Sequence, residues 1–191
     1  MRPWTAISME FIVGLPKSNR YTKIWVIVDK FSKMVNFIPL RIEEYIKELA
    51  LMFVKEIWRL HGLPESIVSD EDTQFMSKFW TSLMQLLQVK VNLCTAFHPE
   101  SDRQTERVNQ TLEQYLRSYC SYQQGDWVSL LPFAEYGDNT SMFESTKTSP
   151  LEINYGFSPQ TQWSGIVSDN KEIHLDSKLV VKDSEGIWQE I

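Results

Sequence analysis

Apolar positions recur along this chain first at the spacing of strands and then at the spacing of helices. Residues 7–13 (ISMEFIV), 24–28 (IWVIV) and 34–40 (MVNFIPL) are β-branched and aromatic runs, the first two separated by a turn cluster of Gly14, Pro16, Ser18 and Asn19. They predict an antiparallel meander. From Glu43 the period changes: Ile46, Leu49, Ala50, Phe53, Val54, Ile57 and Leu60 recur at steps of three and four, and Gly62 with Pro64 supplies the stop. That predicts one amphipathic helix of about four turns. A short apolar strand, SIVS at 66–69, ends at Asp70, and Ser77 reads as the N-cap of a helix through Phe79, Leu83, Leu86 and Leu87. A strand is expected over 89–97 (VKVNLCTAF), Pro99 and Ser101 mark a loop, and a long helix follows with Val108, Leu112, Tyr115, Leu116 and Tyr119 on one face. This order predicts a mixed α/β fold. Beyond Tyr155-Gly156 the pattern decays into Ser, Gln, Asn and Asp, which predicts a linker or truncated extension.

Composition narrows the possibilities. With 191 residues, 42% apolar and 13% aromatic, one packed domain is expected. No run of eighteen apolar residues could span a bilayer, and the N-terminal MRPWTAISMEF has neither a continuous apolar stretch nor a small-residue cleavage site, so the expectation is a soluble chain without membrane partners or a visible targeting signal. Cys94 and Cys120 make no disulfide framework, and His61, His98 and His174 are too scattered for a structural zinc. The formal charge is −6, of which −3 belongs to residues 1–158 and −3 to 159–191. Such a balance opposes tight autonomous binding to nucleic acid, because neutralising phosphates supplies much of that affinity.

Two carboxylates carry the candidate chemistry. Asp70 follows a short apolar strand, and the C-terminal ends of strands in α/β sheets are where ligands bind, although a turn or helix-cap role is the competing reading. Glu106, Gln110, Glu113 and Arg117 form a stripe opposite the apolar face of the long helix; on its own that is the pattern of a solvated face. Asp29 and Asp72 read as structural or solvated, and the tryptophans, among them Trp4, Trp58, Trp80 and Trp127, as core or interface residues.

The words around these residues are more specific. MEFIVGLPKS, IWVIVDKFSKMVNFIPL, IVSDEDTQFMSKFW (67–80), TAFHPESDRQTERVNQTLEQYLRSY (95–119) and TSPLEINYG (148–156) occur in the order found in the integrase core of gypsy-type LTR retrotransposons, which the chain closely resembles over roughly residues 4–160. The resemblance implies a ribonuclease-H-like fold: a five-stranded mixed sheet with helices on both faces, occupying 1–160, with 161–191 an acidic extension or linker. It also implies that Glu10, Asp70 and Glu106 are the three catalytic carboxylates and together hold two Mg²⁺ or Mn²⁺ ions. The implied reaction is metal-dependent 3′-end processing and strand transfer of element DNA into target DNA, in the nucleus or cytoplasm, by a homodimer or larger assembly. His98, Arg103, Asn109 and Gln110 would face nucleic acid, with an ordinary hydrogen-bonding role in a loop the alternative for His98. Zinc and DNA- or chromatin-binding modules, which flank such cores in complete integrases, are not visible, so the chain reads as a fragment of a longer polyprotein.

Departures from the family pattern qualify the activity. The family has Asp where this chain has Glu10, and HPESDRQTE stands for an HPQTDGQTE-like word, so Glu100 replaces a Gln and Arg103 a Gly. Asp138 and Phe143 stand for a Tyr and a His. These breaks predict an impaired copy. Two rival functions remain: a catalytically inactive nucleic-acid-binding or dimerisation module, and a hydrolytic nuclease of the same fold that cuts without joining.

Overall fold

A computed structural model describes residues 2–41, 45–88, 96–98, 103–120, 125–143 and 147–157, with backbone alone for 96–98, 103, 104 and 106. The meander forms as expected: β1 (Ala6–Ile12), β2 (Lys23–Asp29) and β3 (Val35–Leu40) pair antiparallel in sequence. β4 (Ser66–Ser69) then lies parallel to β1, giving the order β3-β2-β1-β4. Four full strands therefore carry the sheet, where five were expected. The fifth place is held by three residues of backbone, β5 (Ala96–His98), parallel to β4, and the rest of the strand expected over 89–97 lies outside the described residues.

Alternation along the strands divides the core in two, because successive side chains leave a strand on opposite faces. Ile7, Met9, Trp25 and Ile27 face α1 (Ile46–Phe53) and α3 (Thr73–Leu87). Ile12, Ile24, Val26, Val28, Val35 and Phe37 face α4 (Arg103–Tyr119) and α5 (Trp127–Thr140). The last helix, α6 (Pro150–Tyr155), packs against α5 with Leu151 buried. Helices thus cover both faces of a mixed sheet. No helix among the described residues is long and apolar enough to cross a membrane.

Two sequence expectations need correction. Ser77 is not a cap: α3 starts at Thr73, and the Asp72 carboxylate accepts a hydrogen bond from the Phe75 N–H at 2.8 Å. Asp caps as well as Ser, and the residues between them continue helically, so the earlier residue takes the role. Leu60 does not join the buried stripe of the first helix; it is 52% exposed. The cause is a π-helical turn, Val54–Trp58, between α1 and a final α-turn, α2 (Arg59–His61). A π turn closes i→i+5 bonds and so holds one residue more than an α turn, which rotates everything after it. His61 stacks on buried Trp4 instead, with ring centroids 3.8 Å apart and planes 5° apart.

Of the two roles open to Asp29, structural or solvated, the fold gives it the first. It is fully buried at the end of β2 and accepts hydrogen bonds from Trp4 N at 2.9 Å and Ser32 N at 2.8 Å, tying the N-terminal segment to the β2–β3 turn.

Candidate active site

Glu10 stands in the second half of β1 on the α4 face, half-buried and paired across the sheet with Val26. Two hydrogen bonds set α4 against this strand. The Ser8 and Thr105 hydroxyls are 2.7 Å apart, both buried, and the Asn109 Nδ2 donates to Glu10 Oε2 at 2.6 Å. Two residues of strand rise ~6.6 Å and four residues of helix ~6 Å, so the pairs 8/105 and 10/109 match in length. Two matched contacts fix both the rotation and the axial position of α4.

Glu106 has its backbone in the first turn of this helix, between the two anchoring positions; its side chain lies outside the described residues. Asp70 is the residue after β4 and is exposed. The β1–β4 register ends with Met9 beside Ser69, on strands ~4.8 Å apart, and Glu10 and Asp70 are each the next residue beyond that pair. The sheet therefore brings together the backbones of two of the three expected carboxylates, and α4 brings the third alongside. Among the described residues no group of three His, Cys, Asp or Glu converges as a metal site. Carboxylate oxygens are hard ligands of the kind Mg²⁺ and Mn²⁺ take, so Glu10 and Asp70 carry the donor type that such an ion needs.

Electrostatics add a residue that the sequence reading passed over. Burial, together with the carboxylates of Asp70 and Asp72, raises the pKa of Glu71, with Lys23 opposing. The visible signal was the run Asp70-Glu71-Asp72, which piles negative charge at the end of β4. Of the four residues expected at nucleic acid, Asn109 is committed within the protein to Glu10, Gln110 is exposed, and His98 and Arg103 have only backbone described, in β5 and at the start of α4. Asp138 is half-buried in α5, and burial pushes its carboxyl up to about 6; Phe143 is half-buried just past the end of that helix.

The fold has solved counterparts. The magnesium complex of the HTLV-2 integrase catalytic core, in its trimeric form, superposes with a TM-score of 0.60 at 18% identity, covering 81% of this chain and 99% of that one. A chain of the simian T-cell lymphotropic virus intasome in complex with the PP2A regulatory subunit B56 gamma gives 0.63 at 19% identity, over 90% of this chain and 60% of that one. The architecture is thus that of a retroviral-type integrase catalytic core. No family model matches the chain. In sequence it is 34% identical over 158 residues, 83% of its length, to the Tf2-3 and Tf2-4 transposon polyproteins of Schizosaccharomyces pombe. The chain spans 12% of the length of those polyproteins. It belongs to the integrase cores of LTR retrotransposons.

Proposed function

We propose that the chain is the catalytic core of a gypsy-type retrotransposon integrase, and that its ancestral reaction is 3′-end processing and strand transfer of element DNA, carried out on chromosomal DNA in the nucleus. Glu10, Asp70 and Glu106 are the residues assigned to hold Mg²⁺ or Mn²⁺. The observation that carries this reading is the register: Glu10 and Asp70 each follow directly on the paired residues Met9 and Ser69, and α4 is pinned to β1 by hydrogen bonds at positions 105 and 109 that bracket Glu106. Bound there, a pair of ions supplies charge stabilisation for the attacking and leaving oxygens of an in-line phosphoryl displacement. The chain's own part is to fix the spacing of the carboxylates. Dimeric and trimeric forms of the HTLV-2 core support a homo-oligomeric working state.

Activity in this copy is reduced by Glu10. The extra methylene relative to Asp extends the carboxylate by ~1.5 Å, more than a preorganised site of ~0.5 Å tolerance accepts. Half-burial against Asn109 gives the longer side chain a resting place of its own. A Mn²⁺-supported nicking and joining assay on the purified chain tests the assignment. Glu10→Asp should raise the rate at least tenfold, ~1.4 kcal/mol of barrier, and Asp70→Asn in that background should abolish the gain. A Glu10→Asp/Arg103→Gly protein that folds and binds Mn²⁺ yet stays inert would place the lesion elsewhere, with Glu100, Asp138 and Phe143 next, whereas one whose Mn²⁺ binding is indifferent to Asp70→Asn would remove the site assignment. Cutting without joining would identify a hydrolytic nuclease instead.

A further inference from the structure

Between Glu10 and Asp29 lie eighteen residues with no Asp or Glu and three cations, Lys17, Arg20 and Lys23, in a chain whose net charge is −6. Lys23 is engaged electrostatically with Glu71. Lys17 and Arg20 are exposed and make no ion pair among the described residues. Arg20 sits on, and Lys17 just before, a tight two-residue turn: Ser18 N–H donates to Tyr21 O at 3.0 Å, Tyr21 N–H donates back to Ser18 O at 2.8 Å, and Asn19 and Arg20 take φ of 48° and 77°. Left-handed backbone at both central positions is the I′ geometry of hairpins, where Gly is the undemanding choice for the second place. Arg20 costs roughly 1 kcal/mol there.

The turn is rigidly mounted. Trp127, itself buried at the start of α5, donates Nε1–H to Pro16 O at 2.7 Å, and the fully buried Ser18 accepts from Val128 N at 3.4 Å. Arg41, beyond the end of β3, lies 5.9 Å from the Tyr21 ring and adds a third cation at the base of the turn. β1 runs toward this turn, so the cations stand at the same end of the sheet as Glu10, and the pins to α5 put them on the same face. Seven residues at ~3.3 Å each keep Lys17 within ~23 Å of Glu10, about seven base pairs of duplex.

We propose that the turn at 17–20 is a phosphate-backbone contact for double-stranded DNA, holding the duplex flank beside the carboxylate site. This rests on the integrase reading above. An exposed, unpaired Lys and Arg on a strained but immobilised turn lose little conformational freedom when they meet phosphates, and an otherwise acidic molecule needs such a local contact to hold DNA at that edge. No base is specified by it.

Fluorescence anisotropy of a short labelled duplex, titrated with the full chain across a salt series without divalent metal, tests the proposal. Lys17→Ala/Arg20→Ala should weaken binding at least tenfold at low salt and lower the slope of log K against log salt by about two contacts at ~0.9 each. Lys47→Ala/Lys78→Ala, the same charge change on exposed positions of α1 and α3 across the sheet, should leave the slope unchanged. Arg20→Gly removes the cation while relieving the strained backbone, so it should hold or raise the melting temperature and still lose about one contact from the slope. Unchanged slopes in the turn variants, or an equal loss in the control pair, overturn the proposal. Displacement of the duplex by polyglutamate or single-stranded RNA at equal charge concentration overturns the assignment to duplex DNA. If nicking is absent but the slope still depends on the turn, the catalytic reading fails and this contact stands; if nicking is present and the slope is indifferent to the turn, this contact alone fails.

Discussion

Asn109 is where the local chemistry of the site is decided. Its Nδ2 is committed to Glu10, while its Oδ1 is buried with no partner among the described residues, so half of the amide contributes and half costs. A group that orients a carboxylate intended for a metal usually governs metal affinity by ten- to a hundredfold. Asn109→Ala should therefore weaken Mn²⁺ binding by about tenfold by calorimetry or electron paramagnetic resonance, with little loss of fold stability, because the orphaned oxygen leaves with the amide. Unchanged Mn²⁺ affinity would reduce Asn109 to a packing residue. The sequence places Asn109 on the long helix, but its bond to Glu10 was not legible, since nothing local reveals a partner 99 residues away. Asp29 was legible because a carboxylate at a strand end beside a Lys-Phe-Ser turn has backbone donors within reach.

At the scale of elements, the edge strand β3 is closed by α5. Asn139 exchanges two hydrogen bonds with the Val35 backbone, at 2.8 and 2.9 Å, and Glu135 accepts from Phe37 N at 2.8 Å and Asn36 Nδ2 at 3.3 Å. Residues 135 and 139 are one helical turn apart, so a helix face satisfies donors that would otherwise invite another strand. Burial pushes the Glu135 carboxyl up to about 7, the backbone donor of Phe37 opposes, and the Glu56 charge adds to the rise. The folded protein thus keeps this proton to higher pH than the unfolded chain, and stability falls as pH rises from about 4.5 to about 7, then levels. Glu135→Gln should flatten that fall: no difference from the parent near pH 4.5, and a gain of ~1–3 kcal/mol at pH 8 by urea denaturation. A parent stability that rises through this window would contradict the assignment. The strands were legible because β-branched runs bounded by turn residues leave few alternatives. The seal on β3 was not, since it depends on α5 arriving from a hundred residues downstream.

For the whole molecule, order was more legible than detail. The succession of strands and helices, with the two carboxylates at a strand end and on the long helix, yielded an α/β sheet covered on both faces, while most of the run expected as the fifth strand lies outside the described residues. Charge acts at this scale too. With a net −6, duplex DNA should bind more weakly than ~1 μM at physiological salt and tighten steeply as salt is lowered. A dissociation constant below ~100 nM at physiological salt would mean that the basic surface extends well beyond the turn at 17–20.

The π turn at Val54–Trp58 carries a consequence for lineage. One surplus residue in a helix is most simply gained by a single-codon insertion, and the helix absorbs it by widening one turn rather than breaking. The widened turn goes with Leu60 facing solvent and His61 stacked on Trp4, which stands buried beside the Asp29 network. A copy of this element lacking one residue of 54–58 would swing the last turn back by about 100°. It would then need an apolar residue at the place of Leu60 and a different neighbour for Trp4. Helix length and those two side chains should therefore change together among related copies, as a single inherited unit.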